Sequence, residues 1–411
     1  MIFFLYNLII LILLPLIFVR LLLKSIKDSD YRKNLHHRLG IYKNSTDEGL
    51  VWFHAVSLGE VISSENLINK ILEKDKVILS VSTPTGLRQA QKIFNSRLQV
   101  VYAPWDFYLF VNNFLKNFKP KALIIFETEI WPSMIKNSSA SGLTVILANA
   151  RLSKDSNEKY FRMNFFIKDV LDKITLILAQ SKNHVKRFNK LGADQNIIKE
   201  VGSLKFDIQE NTSDIGAIDA DKNFIIATST HEGEEEIICE VFKDLMDKNN
   251  SLRLALIPRH PERSESIGKM LNKKGIKNSV FNQIPETFKI GEITIIKGVG
   301  FLNKLYSMAE VAFIGGSLLK EYGGHNIIEA SANKCSFIVG PFMKNFEDIM
   351  EQYITYGACI QLKNPIELSD AFEKLMHDDD FRKNMIDKGT KLIENNKGSL
   401  EKQYNYISKY L

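Results

Sequence analysis

Cysteine is scarce in this chain: three in 411 residues, Cys239, Cys335 and Cys359, far apart and without a CxxC pair. That excludes a disulfide framework and a cysteine-based zinc site, and it fits a reducing compartment. Familiar catalytic signatures are missing too. There is no Walker A pattern, no HExxH and no GxSxG elbow, and the glycines Gly298 and Gly300 lead to Asn303 where a dinucleotide fingerprint needs a third glycine. Asp-x-Asp occurs at Asp28 with Asp30 beside the N-terminal apolar run, and at Asp219 with Asp221 in a polar connector. Neither position suits a metal-bound nucleotide. The expectation is a group transfer needing no metal and no cofactor. There is no repeat of fixed period. What is present, 45% hydrophobic and 25% charged residues, is the composition of a folded chain long enough for two domains.

The first segment stands apart. Residues 2–23 carry one charge, Arg20, and one mid-run proline, Pro15. At the helical rise they span roughly 33 Å, enough for a bilayer core. No basic stretch precedes the run and no small-residue cleavage site follows it, so an anchor is expected rather than a cleaved signal. Arg20, Lys24, Lys27, Arg32, Lys33, Arg38 and Lys43 follow against only Asp28 and Asp30, which places the large C-terminal part on the cytoplasmic side. The same basic collar suits anionic headgroups or an anionic lipid substrate. Pro15 and Arg20 leave a monotopic helix open beside a spanning one.

Beyond the anchor, short β-rich runs at 51–54, 77–81, 100–103, 122–126, 144–148 and 175–179 alternate with helical patterns such as 61–72, 87–94 and 107–118. Such alternation implies βαβ units and a parallel sheet. The apolar runs ALIIF and TLILA suit strands covered on both faces. A polar, acidic stretch at 209–222 reads as a linker. Alternation then resumes, with strands near 224–227, 252–257, 293–296, 311–314 and 337–339, and helices from Glu234, Ser264, Leu302 and Asn326. The expected plan is a membrane anchor at 1–24, a Rossmann-like domain at 25–208, the linker, a second Rossmann-like domain at 223–395 and a C-terminal helix at 396–411. Ligands of such folds bind at the carboxyl ends of the strands, here in an expected interdomain cleft.

The chemistry sits where strands stop. The first strand runs into AVSLGE, with Glu60 opening a helix: either a dipole-complementing residue or a general base. The 122–126 strand ends in ETEIWP, where Glu127 and Glu129 should point to opposite sides by the strand period, leaving one functional carboxylate. Arg151 of NARLS suits an anion or an internal ion pair. Lys205 of GSLKFD reaches a phosphate or pairs with Asp207. In the second half, Pro258–Arg259–His260–Pro261 displays donors suited to a phosphate. STHEGEEE reads first as a capped helix start, with His231 a weak candidate. The segment AFIGGSLLKEYGGHNIIEA combines a buried strand, a glycine-rich loop and a helix start, where Asn326 and Glu329 are expected in the first turn and anions can dock.

Taken together, HAVSLGE, TPTG, ETEIWP, NARLS, GSLKFD, STHEGEEE, PRHPER, FIGGS, GGHNIIEA and GPFMKNFEDI resemble, in order and over nearly the whole chain, the 3-deoxy-manno-octulosonic acid (Kdo) transferases of Gram-negative bacteria. The resemblance implies an α/β, GT-B glycosyltransferase held at the inner membrane, moving Kdo from CMP-Kdo to a lipid A precursor with inversion. Its implied partners are CMP-Kdo, the anionic lipid and the membrane, and no nucleic acid. It assigns Glu60 as general base, and Glu127 and Lys205 to transition-state stabilisation. Pro258, Arg259, Val299, Gly300, Phe301, Asn326, Ile327, Ile328 and Glu329 take the CMP-Kdo-binding positions. One departure is plain: the family's Asp-Thr-Met-Gly-Glu-Leu is here Lys297–Gly298–Val299–Gly300–Phe301–Leu302, so Phe301 stands where a carboxylate is usual. The alternatives are a GT-B enzyme using a UDP-sugar (an epimerase or hexosaminyl transferase) and a catalytically inactive membrane-tethered relative.

Overall fold

The structure, a computed structural model, describes residues 2–43, 48–127, 129–207, 221–298 and 300–411. Val299 and most of the linker expected at 209–222 lie outside the described residues. The chain divides into two units, Met1–Asp207 with Lys397–Leu411, and Ile208–Asn396.

The first unit is built on seven parallel strands: β1 (Val51–His54), β2 (Val77–Val81), β3 (Gln99–Tyr102), β4 (Ala122–Phe126), β5 (Thr144–Ala150), β6 (Leu176–Ala179) and β7 (Ile198–Glu200). Their order is β3-β2-β1-β4-β5-β6-β7. Burial on both faces explains why β1, β2 and β4 read as unbroken apolar runs rather than alternating ones. The short edge strand Ile-Lys-Glu has too little apolar content to be read from sequence. Helices begin earlier than their apolar periodicity suggests, because the cap starts the helix and the core face follows. Ser57 caps Leu58–Leu72 by accepting from the Glu60 backbone N–H, and Thr83 caps Pro84–Phe94 with the proline in the first turn.

The final helix, Ser399–Ile407, returns to this unit rather than standing as a separate segment. Tyr404 and Ile407 join the core that contains Val61, Leu67 and Phe126. The Asp207 carboxylate accepts from the Gly398 and Leu400 backbone N–H groups (2.8 and 2.5 Å).

The apolar N-terminal helix, Ile2–Lys27, is long and apolar enough to cross a membrane. One stripe of it lies against the first unit. Asn7 and Leu21 are buried, and Phe3 and Tyr6 pack on the core. The Tyr6 hydroxyl donates to Asp106 (2.7 Å), and Asn7 Oδ1 accepts from the Tyr108 backbone N–H (2.8 Å). Asp106, itself buried, also accepts from the Ser133 and Met134 N–H groups, so it ties this helix to the N-terminus of Pro132–Ala140. The opposite stripe, including Phe4, Ile12, Leu16 and Leu23, is exposed.

The second unit also holds seven parallel strands: β8 (Asp221–Thr230), β9 (Arg253–Pro258), β10 (Asn278–Phe281), β11 (Ile293–Ile296), β12 (Ala309–Ile314), β13 (Ser336–Val339) and β14 (Ile360–Gln361). They run in the order β10-β11-β9-β8-β12-β13-β14. Neither edge strand, β10 nor β14, is legible in the sequence, since both are half-buried and lack a continuous apolar run. The helix expected from Asn326 is shorter and later, Ile328–Ala332.

Candidate active site

In the first unit the chemistry gathers at the carboxyl ends of β1, β4 and β5, three adjacent strands, with the turn that follows β7. Glu60 lies in the first turn of Leu58–Leu72. Its carboxylate reaches back to the chain that precedes the helix, accepting from the Val56 backbone N–H (2.8 Å) and the Ser57 hydroxyl (3.0 Å). Burial pushes its carboxyl up to about 8, with further upward contributions from the negative charges of Glu127 and Glu129 that outweigh the two hydrogen bonds. A carboxyl in that range can exchange its proton near neutral pH.

Glu127 follows the last residue of β4 in a left-handed conformation, φ +62°, which a non-glycine residue adopts only when its surroundings enforce it. Its backbone N–H donates to the Ala148 carbonyl (2.9 Å). Its buried carboxylate faces Arg151 Nε at 3.2 Å and Lys205 Nζ at 3.6 Å. This corrects two expectations. Lys205 pairs with Glu127 rather than with Asp207. And because the strand ends at Phe126 and turns left-handed, the two-residue alternation no longer applies: Glu127 and Glu129 both act electrostatically on Glu60. Burial, then the Glu127 charge, also raises the Glu129 carboxyl.

Asn149 organises this end of the sheet and was missed as a site residue, although it belongs to NARLS. At φ +50°, a conformation asparagine tolerates, it accepts from the Leu204 backbone N–H on its Oδ1 (3.1 Å) and from Gln180 Nε2 on its carbonyl (2.8 Å). Its own N–H donates to Gln403 Oε1 (2.8 Å). It thereby fixes the turn that carries Lys205.

In the second unit the expected residues lie at the carboxyl ends of β11, β9, β8 and β12, four strands that are neighbours in the sheet. Pro258 ends β9 and is buried, whereas Arg259 beside it is exposed, its backbone N–H donating to the Thr230 carbonyl (2.9 Å). Asn326 precedes its helix rather than lying in the first turn. Its Oδ1 accepts from the Ile328 N–H (3.1 Å), and its Nδ2 donates to Glu329 Oε1 (2.9 Å). Burial raises the Glu329 carboxyl against that bond. Ile327 and Ile328 are fully buried, so any ligand contact there comes from backbone. Gly300 is exposed with φ +100°, and Val299 is outside the described residues. Phe301 folds back on Gly298 so closely that a Cβ there would meet the ring at 2.4 Å. The Phe301 ring thus packs on the backbone of its own segment.

The largest omission is Glu234, which sequence assigned only to helix capping. Its buried carboxylate accepts four backbone N–H groups, those of His231, Gly316, Ser317 and Leu318, at 2.7–2.9 Å. It is the peg on which the glycine-rich loop hangs. Beside it His231 Nε2 lies 2.8 Å from His325 Nε2, with the Tyr322 ring stacked at 4.0 Å. The juxtamembrane aspartates are engaged elsewhere: Asp28 and Asp30 both pair with Arg88.

Two parallel sheets of this order, each carrying polar chemistry at its strand ends, define the GT-B fold. The fold is similar to that of UDP-GlcNAc 2-epimerase from Neisseria meningitidis, with a TM-score of 0.58 and 12% identity over 89% of this chain and 99% of that one. It is likewise similar to a glycosyltransferase from Rickettsia africae, with a TM-score of 0.55 and 14% identity over 89% of this chain and 98% of that one. Sequence narrows the class. Residues 33–208 match the family described as 3-Deoxy-D-manno-octulosonic-acid transferase (kdotransferase), and residues 209–392 match Glycosyl transferases group 1. The 3-deoxy-D-manno-octulosonic acid transferase of Haemophilus influenzae is 31% identical over 99% of this chain and 98% of its own length. That of Rickettsia bellii is 29% identical over 97% of each. The chain belongs to the Kdo transferase family.

Proposed function

We propose that this protein is an inverting transferase that moves Kdo from CMP-Kdo to a lipid A precursor at the cytoplasmic face of the inner membrane. The observation that carries the reading is Glu60: a carboxyl pushed up to about 8 at a strand end, beside the Glu127–Arg151–Lys205 array. Glu60 takes the proton of an acceptor sugar hydroxyl as its oxygen bonds to the anomeric carbon of Kdo. The bond from that carbon to the phosphate oxygen breaks on the opposite face, and CMP departs with the electron pair. Arg259 stabilises the negative charge that builds on the leaving phosphate, and Lys205, held by Glu127, serves the charge of the transition state on the Glu60 side. Asn326 and Glu329 hold the nucleoside. The exposed stripe of the N-terminal helix, with the basic residues after it, keeps the unit against anionic lipid. Phe301 leaves donor contacts in its segment to the backbone.

Mass spectrometry of the lipid formed by the purified protein from CMP-Kdo and the lipid A precursor tests the reading. A Kdo-bearing product is expected; none from CMP-Kdo but one from a UDP-sugar would replace it with the UDP-sugar alternative.

A second measurement follows from electrostatics. Glu127→Gln removes the largest neighbouring charge that raises the Glu60 carboxyl. Glu60 then releases its proton more easily, so the acid limb of the kcat/KM profile, near 8 in the wild type, is expected to move to lower pH even as the rate falls. A limb that stays in place would dissociate Glu60 from the profile.

A further inference from the structure

We propose that His231, His260 and His325 form the subsite for the carboxylate of the donor sugar, with Arg259 beside them for the phosphate. This rests on the reading of the donor as a CMP-linked sugar acid and names the part of the second unit that selects the acid.

The four groups come from three strand ends: His231 after β8, Arg259 and His260 after β9, and His325 from the loop after β12. The His231 and His325 rings lie nearly parallel, 5° apart, with their Nε2 atoms 2.8 Å from one another, and the His260 ring meets His231 edge-on at 5.5 Å. A contact between two Nε2 atoms holds one proton, donated by one ring to the other. Both rings are held down to about 4, first by burial and then by positive charge: His260 and Arg259 act on each, and Arg263 also acts on His231. The neighbouring carboxylates are otherwise engaged. Glu234 is saturated by its four backbone donors, Glu235 pairs with Arg263 at 3.0 Å, and Glu262 lies 3.7 Å from His260 Nδ1. A histidine pair kept neutral by burial and by neighbouring positive charge is stabilised by an incoming anion, which offsets that charge and lets the pair take up a proton.

The glycine-rich loop is shaped for these rings. A Cβ at Gly316, whose φ is +66°, would meet His325 Cδ2 at 2.6 Å. The phosphate of a CMP-linked sugar falls to Arg259, whose planar fork suits it. The histidine pair is left for the second charge, which a sugar acid carries and a neutral UDP-sugar lacks at the sugar. Specificity follows because a site built around a polar group rejects the analogue without it.

Titration calorimetry on the full-length protein in detergent, without acceptor, tests this with CMP and CMP-Kdo as probes, in two buffers of different ionisation enthalpy. For the wild type, more proton uptake is expected with CMP-Kdo than with CMP, whose phosphate offsets Arg259 alone. In His231→Gln and His325→Gln, affinity for CMP-Kdo is expected to fall about tenfold or more, the weight of a charge-assisted hydrogen bond, with CMP affinity within about twofold of the wild type by the same reasoning. Equal losses for both ligands would make the histidines a scaffold for the loop and overturn the proposal, as would unchanged CMP-Kdo affinity in both variants. The excess of proton uptake with CMP-Kdo over CMP, read on the wild type alone, decides the matter if the variants misfold: its absence overturns the carboxylate subsite. A wild type that binds neither ligand refutes the CMP-donor reading itself, whereas CMP binding with a failed carboxylate test leaves that reading standing.

Discussion

Glu60→Gln is expected to lower turnover by at least about a hundredfold while leaving binding of CMP-Kdo unchanged. The substitution keeps the shape of the side chain and an oxygen able to accept from the Val56 N–H, so the start of the Leu58–Leu72 helix stays intact. What disappears is the ability to take a proton. Stability provides an internal control. The folded-state carboxyl is raised from 4.5 to about 8, so the native protein holds this proton more tightly than the unfolded chain. The wild type therefore loses stability as pH rises from about 4.5 through about 8, and the glutamine variant lacks that component. Initial rates with labelled CMP-Kdo, together with thermal unfolding at pH 5 and pH 9, separate the two effects. Near-normal turnover in a folded variant would remove Glu60 as the base.

Glu234→Ala should have the largest effect on stability. The carboxylate answers four backbone N–H groups drawn from His231 and from the loop 82–84 residues further on. Truncation leaves these donors without their acceptor in a buried place. The expected loss is about 3–5 kcal/mol, as for removing one partner of a buried charged network. For a unit of this size that corresponds to a fall of roughly 10 °C in the melting temperature of the second unit. The loop carrying Gly316 and Ser317 is expected to open first, so CMP affinity should fall even below the melting transition. Unfolding followed by calorimetry with and without CMP checks both parts. A variant melting within a degree or two of the wild type would mean that water replaces the carboxylate without cost.

These two residues also show where sequence reading succeeds and where it stops. The place of Glu60 at a strand-to-helix junction was legible because its context is local: a buried strand, a serine cap three residues before it, and a helix, all within one short segment. The same holds for the twelve or so central strands and helices, whose apolar periods report burial directly. Glu234 was legible only as a cap, because the loop it holds is remote in sequence. Asn149 takes its meaning from Gln403, 254 residues away. Glu129 was set aside by an alternation rule that holds only while the chain remains extended. The left-handed turn at Glu127 ends that condition, and nothing in ETEIWP announces a positive φ on a glutamate. The late start of the Ile328–Ala332 helix has a similar cause, since Asn326 binds the Ile328 N–H from outside the helix and so acts before the first turn. The edge strands β7, β10 and β14 were lost because half-covered strands carry no continuous apolar run.

The return of the last fifteen residues to the first unit makes the second unit an insertion within the first. A truncation just before Lys397 would therefore damage the unit at the opposite end of the gene product. It would strip Gln403 from Asn149, release Asp207 from Gly398 and Leu400, and uncover the core beneath Tyr404 and Ile407. In genetic terms, C-terminal nonsense alleles are lesions of the Glu60 half, and a first unit made alone needs residue 207 spliced to residue 397.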